Sequence, residues 1–369
     1  MHNPKILIAA GGTGGHVYPA IAIADALKAE NSHSEIMFVG TKTHMEWNAV
    51  PKAGYEIMNV WISGFHRRLT LKNLLFPVKL ITALVQSLKI ISVFKPQVIV
   101  SCGGYVAGPI GWVGGKKGIP VVIQEQNGFP GITNRLLAKF AVKIFTAFKE
   151  AEKFLPVDKI TITGNPTRNT LTTIEKETGL KSFGFDDSKP VLLIMGGSGG
   201  AKSINEAVKE NLDMLLNKAG LQIIWQCGSR YFDTLSTEID TEKYPNLRLT
   251  AFIDSMPEAY AAADLVISRA GASSCSEFML TGKPSVLIPS PNVAGDHQTE
   301  NAKAMRDAGA SELLKDSDAK NTLSELVDRL INDQEKLKKM NIAALKLAKP
   351  DAAKVIAQEI LELAKSQLN

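Results

Sequence analysis

Two glycine-rich loops and one histidine carry the first chemical signal in this 369-residue chain. The stretch "ILIAAGGTGGHVYPAIAIADAL" starts at Ile6, and an apolar run meets five small residues at 11–15, then His16, then a helix-like segment. A second loop, "GGSGG", fills 196–200, again after an apolar run. Glycines between a strand and a helix leave backbone N–H groups bare at the helix N-terminus, where unpaired donors and the helix dipole favour an anion. Phosphate is the usual guest. Neither loop has a standard nucleotide fingerprint. In G-x-G-x-x-G counted from Gly12 and Gly14, the third glycine position is Val17, and "MFVGT" offers no ribose-binding acid after the second strand. In G-x-x-x-x-G-K-[ST], "GGSGGAKS" has Ala201 where the glycine belongs. Dinucleotide and P-loop chemistry both fit poorly. A tight strand–helix turn without a ligand is the plain alternative for each loop taken alone.

Further polar groups gather at other turns. "SCGGYVAGPIG" at 101–111 could again present backbone donors at Gly103 and Gly104 with Tyr105 on the rim, or simply pack a helix on a strand. After "DLVI" come Arg269, Ala270 and Gly271 and a helix start of small residues, whose amides near 272–274 could cap a diphosphate. Glu277 has two acceptor oxygens suited to neighbouring ribose hydroxyls, or is a first-turn helix carboxylate. "NVAGDHQTENA" supplies Asp296, His297, Gln298 and Asn301 to read a sugar or base, or to cap a helix.

The elements that hold these groups alternate between strand and helix. "KILIAA", "EIMFVG", "PQVIVSCGG", "PVVIQEQ" and "KIFTAF" read as short buried strands, and the pattern restarts with "PVLLIMGG", "LQIIWQCG", "LRLTAFID", "DLVISRAG" and "PSVLIPSP". This α/β order predicts two similar Rossmann-like domains with parallel sheets. Their boundary falls in the turn-rich and polar stretch 164–190. We read residues 1–165 and 166–344 as the two domains, with a closing helix at about 345–369 packing back on the first.

Composition narrows the class. Hydrophobic residues make up 45% and charged residues 21%, as in an ordinary globular chain. A net charge of +5 is too weak to argue for nucleic acid and suits anionic ligands or an anionic membrane. Cys102, Cys227 and Cys275 form neither a zinc pattern nor a disulfide framework, which points to a reducing cytoplasm. Five residues precede Ile6, too few for a signal peptide, and no run of 18 uncharged apolar residues predicts a membrane span.

Taken together, "GGTGGHVYPAIAIADAL", "GGYVAGP", "EQNGFPGITNR", "TGNPTR", "GGSGGAKSIN", "FIDSMPEAYAAADLVISRAGASSCSE" and "GDHQTENA" resemble the MurG-type N-acetylglucosaminyltransferases of peptidoglycan synthesis, over nearly the whole chain and in the same order. The resemblance implies a GT-B fold, two Rossmann-like domains facing a central cleft. It implies inverting, metal-independent transfer of N-acetylglucosamine from UDP-N-acetylglucosamine to the C4 hydroxyl of the muramoyl sugar of lipid I, giving lipid II, with roles in cell shape and division. No cofactor is expected; "DSD" at 316–318 matches a metal-binding D-x-D only as letters, since it precedes a helix like a cap.

Carried over by position, Thr13, Gly14 and Gly15 border the donor sugar and the acceptor diphosphate, with Gly104 and Tyr105 on the acceptor side. Asn127 meets the N-acetylglucosamine, Arg168 and Ser198 the diphosphate, Ile253 the uracil through its backbone, Ala272, Ser273 and Glu277 the phosphates and ribose, and Gln298 the donor. Members often have histidine where this chain has Gln124, which removes that position as a proton carrier. His16 then stands as base or as binder of the acceptor diphosphate, with the residue choice leaning to the binder, or it caps the helix. Glu125 is a second base candidate or a packing partner. The runner-up reading is a GT-B transferase or UDP-sugar epimerase acting on a soluble substrate.

A lipid acceptor requires the enzyme to reach a membrane. Leu71, Leu74, Leu75, Val78, Ile81, Val85, Leu88 and Ile91 recur at helical spacing, flanked by Arg67, Arg68, Lys72, Lys79 and Lys89. We expect most of the stripe, above all 80–92, to be core, with residues 65–78 meeting the cytoplasmic face of the inner membrane and Pro77 marking a break.

Overall fold

The computed structural model describes residues 3–64, 75–167, 169–197, 199–291 and 296–367. The chain divides into two compact units, residues 1–168 with 350–369, and residues 169–349.

The first unit runs β1 (Lys5–Ala10), α1 (Gly14–Glu30), β2 (Glu35–Gly40), α2 (Glu46–Lys52), β3 (Glu56–Asn59), α3 (Phe76–Phe94) and β4 (Val98–Gly103). It continues α4 (Ala107–Lys116), β5 (Val121–Glu125), α5 (Ile132–Leu137), β6 (Ala141–Thr146) and β7 (Ile160–Ile162). The second unit holds α6 (Lys176–Ser182), β8 (Val191–Met195), α7 (Lys202–Glu210), β9 (Gln222–Gln226), α8 (Ser229–Glu238), β10 (Leu247–Thr250) and α9 (Met256–Ala262). Then follow β11 (Leu265–Ser268), α10 (Ala272–Thr281), β12 (Ser285–Leu287), α11 (His297–Asp307), β13 (Ser311–Leu313), α12 (Ala319–Ile331) and α13 (Gln334–Leu347). The last helix, α14 (Ala352–Ser366), belongs to the first unit.

Each unit is a doubly wound Rossmann-like domain. Among the described residues the strand orders are β3-β2-β1-β4-β5-β6-β7 and β10-β9-β8-β11-β12-β13, parallel throughout. Alternate residues serve opposite faces: Ile6, Ile8 and Ala10 enter one core, Leu7 and Ala9 the other. Strands covered on both faces therefore read as unbroken apolar runs. α14 completes the first of these cores, where Ile356, Ile360 and Ala364 join Ile21 and Ala24 of α1.

Chain order reverses between β1 and β4 in the first sheet and between β8 and β11 in the second. Ligands of open α/β sheets bind beyond the carboxyl ends of the strands at such points. The four small-residue loops flank them: 11–15 after β1 with 103–105 after β4, and 196–200 after β8 with 269–273 after β11.

α3 overturns one expectation. Its stripe residues Ile81, Val85 and Leu88, expected in the core, are 64%, 60% and 43% exposed, whereas Ile91 is buried as expected; Val78 and the N-cap residue Leu75 are exposed, as expected for 65–78. The row that meets the sheet is Ala83, Ser87, Ile90 and Ile91. α3 is apolar on both sides, so periodicity marks a stripe without saying which side is covered; the core takes the row with the small Ala83 and Ser87. Pro77 lies in the first turn, where its missing N–H costs no helix bond. Length and composition alone would let α3 cross a membrane; its buried row, Ala83, Ser87, Ile90 and Ile91, is covered by the first unit.

Candidate functional site

In the first unit the site is built on the turn between β1 and α1. Thr13 is the N-cap of α1 in extended conformation, and Gly14, Gly15 and His16 form its first turn. No carboxylate of that turn competes with an anion at the helix end. The turn is pinned from behind by Glu46, which is fully buried. One carboxylate oxygen accepts the Gly12 N–H at 3.1 Å, and the other accepts the Thr41 N–H at 3.0 Å and its hydroxyl at 2.7 Å.

The loop after β4 closes against this turn. Gly103 and Gly104 have φ of +100° and +81°, a region that disfavours side chains. A Cβ on Gly103 would lie 2.7 Å from His16 Nδ1, so the imidazole docks on bare backbone. A Cβ on Gly104 would strike the carbonyl of Gly11. Tyr105 is exposed and its ring lies against Gly64.

His16 is half-buried, and its Nδ1 is 2.9 Å from Gln126 Oε1. Gln126 and Gln124 are buried; Gln124 bridges Gln126 to Asn165. The buried carboxylate of Glu125 is surrounded by donors. Oε1 accepts the backbone and side-chain N–H groups of Asn127 at 3.0 and 3.2 Å, and Oε2 accepts from Gly131 N at 3.0 Å and Asn134 Nδ2 at 2.9 Å. Four donors on two oxygens make Glu125 the organiser of the 127–134 turn.

The second unit contains a cavity of about 470 Å³ at the ends of β8 and β11. Gly196, Gly200, Lys202, Arg269 and Gln298 are on its wall. Arg269 is held rigidly: Nη1 donates to Ile288 O, Pro289 O and Asp316, and Nη2 to Ser203 Oγ at 2.8 Å. Asp316, first of the "DSD" letters, is thus a structural partner. Ala272 and Ser273 open α10 behind the N-cap Gly271, again with no first-turn carboxylate. Glu277 lies sixth in α10, which removes the first-turn reading, and accepts the Tyr260 hydroxyl at 2.6 Å. Gln298 Oε1 accepts the Ser290 N–H at 2.9 Å, and Asn301 donates to Ala270 O at 3.0 Å. Asp296 is the N-cap residue of α11, and its carboxylate accepts the Thr299 hydroxyl at 2.6 Å. Ile253 sits in the core shared with Tyr260.

The structure therefore groups His16, Gly104, Glu125 and Asn127 at the strand ends of one unit. In the other unit it sets Gln298 on the cavity wall, Ala272 and Ser273 at the start of α10, and Glu277 in its second turn. Arg67, Arg68, Lys72, Arg168 and Ser198 lie outside the described residues. Sequence reasoning missed Glu46 and Gln126. A glutamate opening a helix and a glutamine beside "EQN" look ordinary, and their importance follows from contacts 34 and 110 residues away in the chain.

With this geometry in view, the relatives can be placed. Residues 6–146 match the glycosyltransferase family 28 N-terminal domain, and residues 191–356 its C-terminal domain. A protein of Salinibacter ruber, 44% identical over 98% of this chain and 97% of its own, is named UDP-N-acetylglucosamine--N-acetylmuramyl-(pentapeptide) pyrophosphoryl-undecaprenol N-acetylglucosamine transferase. A Flavobacterium psychrophilum protein of the same name is 44% identical over the full length of both. The crystal structure of Acinetobacter baumannii MurG superposes with a TM-score of 0.71, covering 98% of this chain and 100% of that one at 29% identity.

Proposed function

We infer the activity from one premise: the chain belongs to glycosyltransferase family 28, among relatives that share its whole length. It is an N-acetylglucosaminyltransferase of peptidoglycan synthesis that transfers N-acetylglucosamine from UDP-N-acetylglucosamine to lipid I and yields lipid II. The observation that carries this is the full-length match to transferases whose names contain both donor and acceptor. The soluble-substrate alternative is not favoured by it.

The residues take the following roles in our reading. In the second unit, Ala272 and Ser273 at the start of α10, with Ser198, meet the donor diphosphate, joined by Arg168 at the end of the first unit's main segment; Glu277, oriented by Tyr260, accepts from ribose hydroxyls. Ile253 meets the uracil by its backbone, and Gln298 the donor. In the first unit, Thr13, Gly14, Gly15, Gly104 and Tyr105 border the transferred sugar and the acceptor diphosphate, and Asn127, fixed by Glu125, meets the N-acetyl sugar. The transfer is inverting and proceeds without a metal: the C4 hydroxyl attacks the anomeric carbon, its proton passes to a base, and UDP leaves with the bond pair. His16 is the site's candidate for that proton, because the lone pairs of Glu125 already face four donors.

We also propose that the protein works peripherally on the cytoplasmic face of the membrane. The support is the exposed apolar row Val78, Ile81, Val85 and Leu88 on α3, with Leu75 at its N-cap, following the basic segment with Arg67, Arg68 and Lys72.

Purified protein with labelled UDP-N-acetylglucosamine and lipid I in detergent tests the function. Label should enter the lipid-extractable fraction only when lipid I is present. Label that stays water-soluble, or moves equally to soluble muramoyl peptides, overturns the lipid-acceptor assignment.

A further inference from the structure

The carboxamide of Gln126 determines which nitrogen of His16 carries the proton. Gln126 Nε2 is 2.8 Å from the carbonyl oxygen of Cys102, an atom that can only accept. The amino end of the carboxamide therefore faces Cys102, and its oxygen faces His16 Nδ1. A second path gives the same direction. Asn165 Nδ2 is 3.2 Å from the carbonyl oxygen of Gln126, so Asn165 Oδ1 accepts from Gln124 Nε2 at 3.2 Å. Gln124 Oε1 then accepts from Gln126 Nε2. All three carboxamides are buried. Reversing any of them would set oxygen against oxygen where water cannot intervene. An oxygen acceptor beside Nδ1 requires Nδ1–H.

We propose that Gln126 is a positioning residue that holds His16 as the Nδ1–H tautomer and leaves Nε2 unprotonated, as the atom that takes the acceptor's proton. A neutral imidazole so held presents a lone pair at Nε2. It can receive a hydroxyl proton, and it has no N–H there to give a diphosphate. In that neutral form the ring keeps no free N–H for the anion-binding role to which the residue types leaned. In the transfer, the C4 O–H proton moves to Nε2 as the new C–O bond forms at the anomeric carbon. The bond from that carbon to the UDP oxygen breaks, and its electron pair leaves with UDP. The imidazolium formed donates Nδ1–H to Gln126 Oε1 throughout. The role in turnover rests on the transferase reading; the tautomer does not.

Long-range ¹H–¹⁵N spectra of the ligand-free protein labelled at histidine test it, recorded at a pH where imidazoles are neutral. The His16 signals are those lost in His16→Ala. The expected result is a protonated Nδ1 and an unprotonated Nε2; a protonated Nε2 overturns the proposal. Gln126→Leu keeps most of the volume and removes the acceptor. It should shift His16 toward the Nε2–H form that free imidazole side chains favour, and lower kcat about tenfold or more with KM for UDP-N-acetylglucosamine within about twofold. An unchanged tautomer in folded Gln126→Leu overturns the proposal, and if that variant does not fold, the parent spectrum decides alone. Absence of lipid I turnover in the parent would remove the transferase reading while leaving the tautomer result intact.

Discussion

Glu46 accepts the backbone N–H of Gly12 at 3.1 Å, tying the first glycine loop to the end of β2. Space for this carboxylate is made by two glycines: a Cβ on Gly11 would lie 2.7 Å from Glu46 Oε1, and one on Gly40 2.6 Å from its Cγ. Glu46→Ala leaves the buried Thr41 N–H and hydroxyl without their acceptor, a loss of about 1–3 kcal/mol for each buried group, and releases the exposed Gly12 N–H to water. We expect a lower Tm and a fall in kcat/KM for lipid I of about tenfold or more. UDP binding measured by calorimetry should be unchanged, since the nucleotide is assigned to the other unit. Weakened UDP binding in a folded variant would contradict the assignment.

Glu277 and Tyr260 predict a graded effect on the donor. Glu277→Ala removes a charged acceptor from the ribose hydroxyls and should raise KM for UDP-N-acetylglucosamine about tenfold to a hundredfold, with a smaller change in kcat. Tyr260→Phe removes only the hydroxyl that orients Glu277 and should raise it severalfold. Equal effects on lipid I and donor KM would argue against a ribose contact.

Lys283 predicts a pH-dependent stability. Burial pushes its ammonium down to about 8, despite the opposing Asp264 charge and with a small like-charge contribution from Lys176. The folded state then binds fewer protons than the unfolded state between that value and the ordinary lysine range, so this group's penalty is full below about pH 8 and fades as pH rises through the window. Lys283→Met should therefore raise Tm at pH 7, and its advantage over the parent should shrink by pH 9.5. A gain that is constant with pH would contradict the origin in desolvation.

The exposed row of α3 predicts a membrane phenotype separable from folding. Ile81→Glu with Val85→Glu changes two side chains that make little of the core. Tm should move by less than about a degree or two, as surface changes do, while sedimentation with anionic vesicles drops severalfold. Unaltered vesicle binding would exclude this face.

Much of this architecture was legible in the residues because it depends on short-range patterns. Apolar runs bounded by glycine, as in "KILIAA" and "VLLIM", specify buried parallel strands, and the repeated order of strand, small-residue loop and helix implies two similar units. The loops after β1, β4, β8 and β11 stood out for the same reason. α3 was harder. A helix apolar on both sides carries no sign of which side the sheet takes, and the answer came from the fit of Ala83 and Ser87. The groups behind the site were also hidden. Glu46, Gln126 and Tyr260 act through contacts with residues distant in sequence, and only the register of β1, β4 and β5 brings Cys102, Gln126 and His16 together.

The central claim, inverting transfer to lipid I, is tested most directly by the structure of the product. After reaction with UDP-N-acetylglucosamine and lipid I, the lipid product is cleaved at its diphosphate and the released saccharide examined by mass spectrometry and ¹H NMR. The account predicts one added N-acetylhexosamine, joined to C4 of the muramoyl sugar through a β-anomeric bond. An α-anomeric bond, a different linkage position, or recovery of lipid I unchanged beside an epimerised UDP-sugar would contradict it.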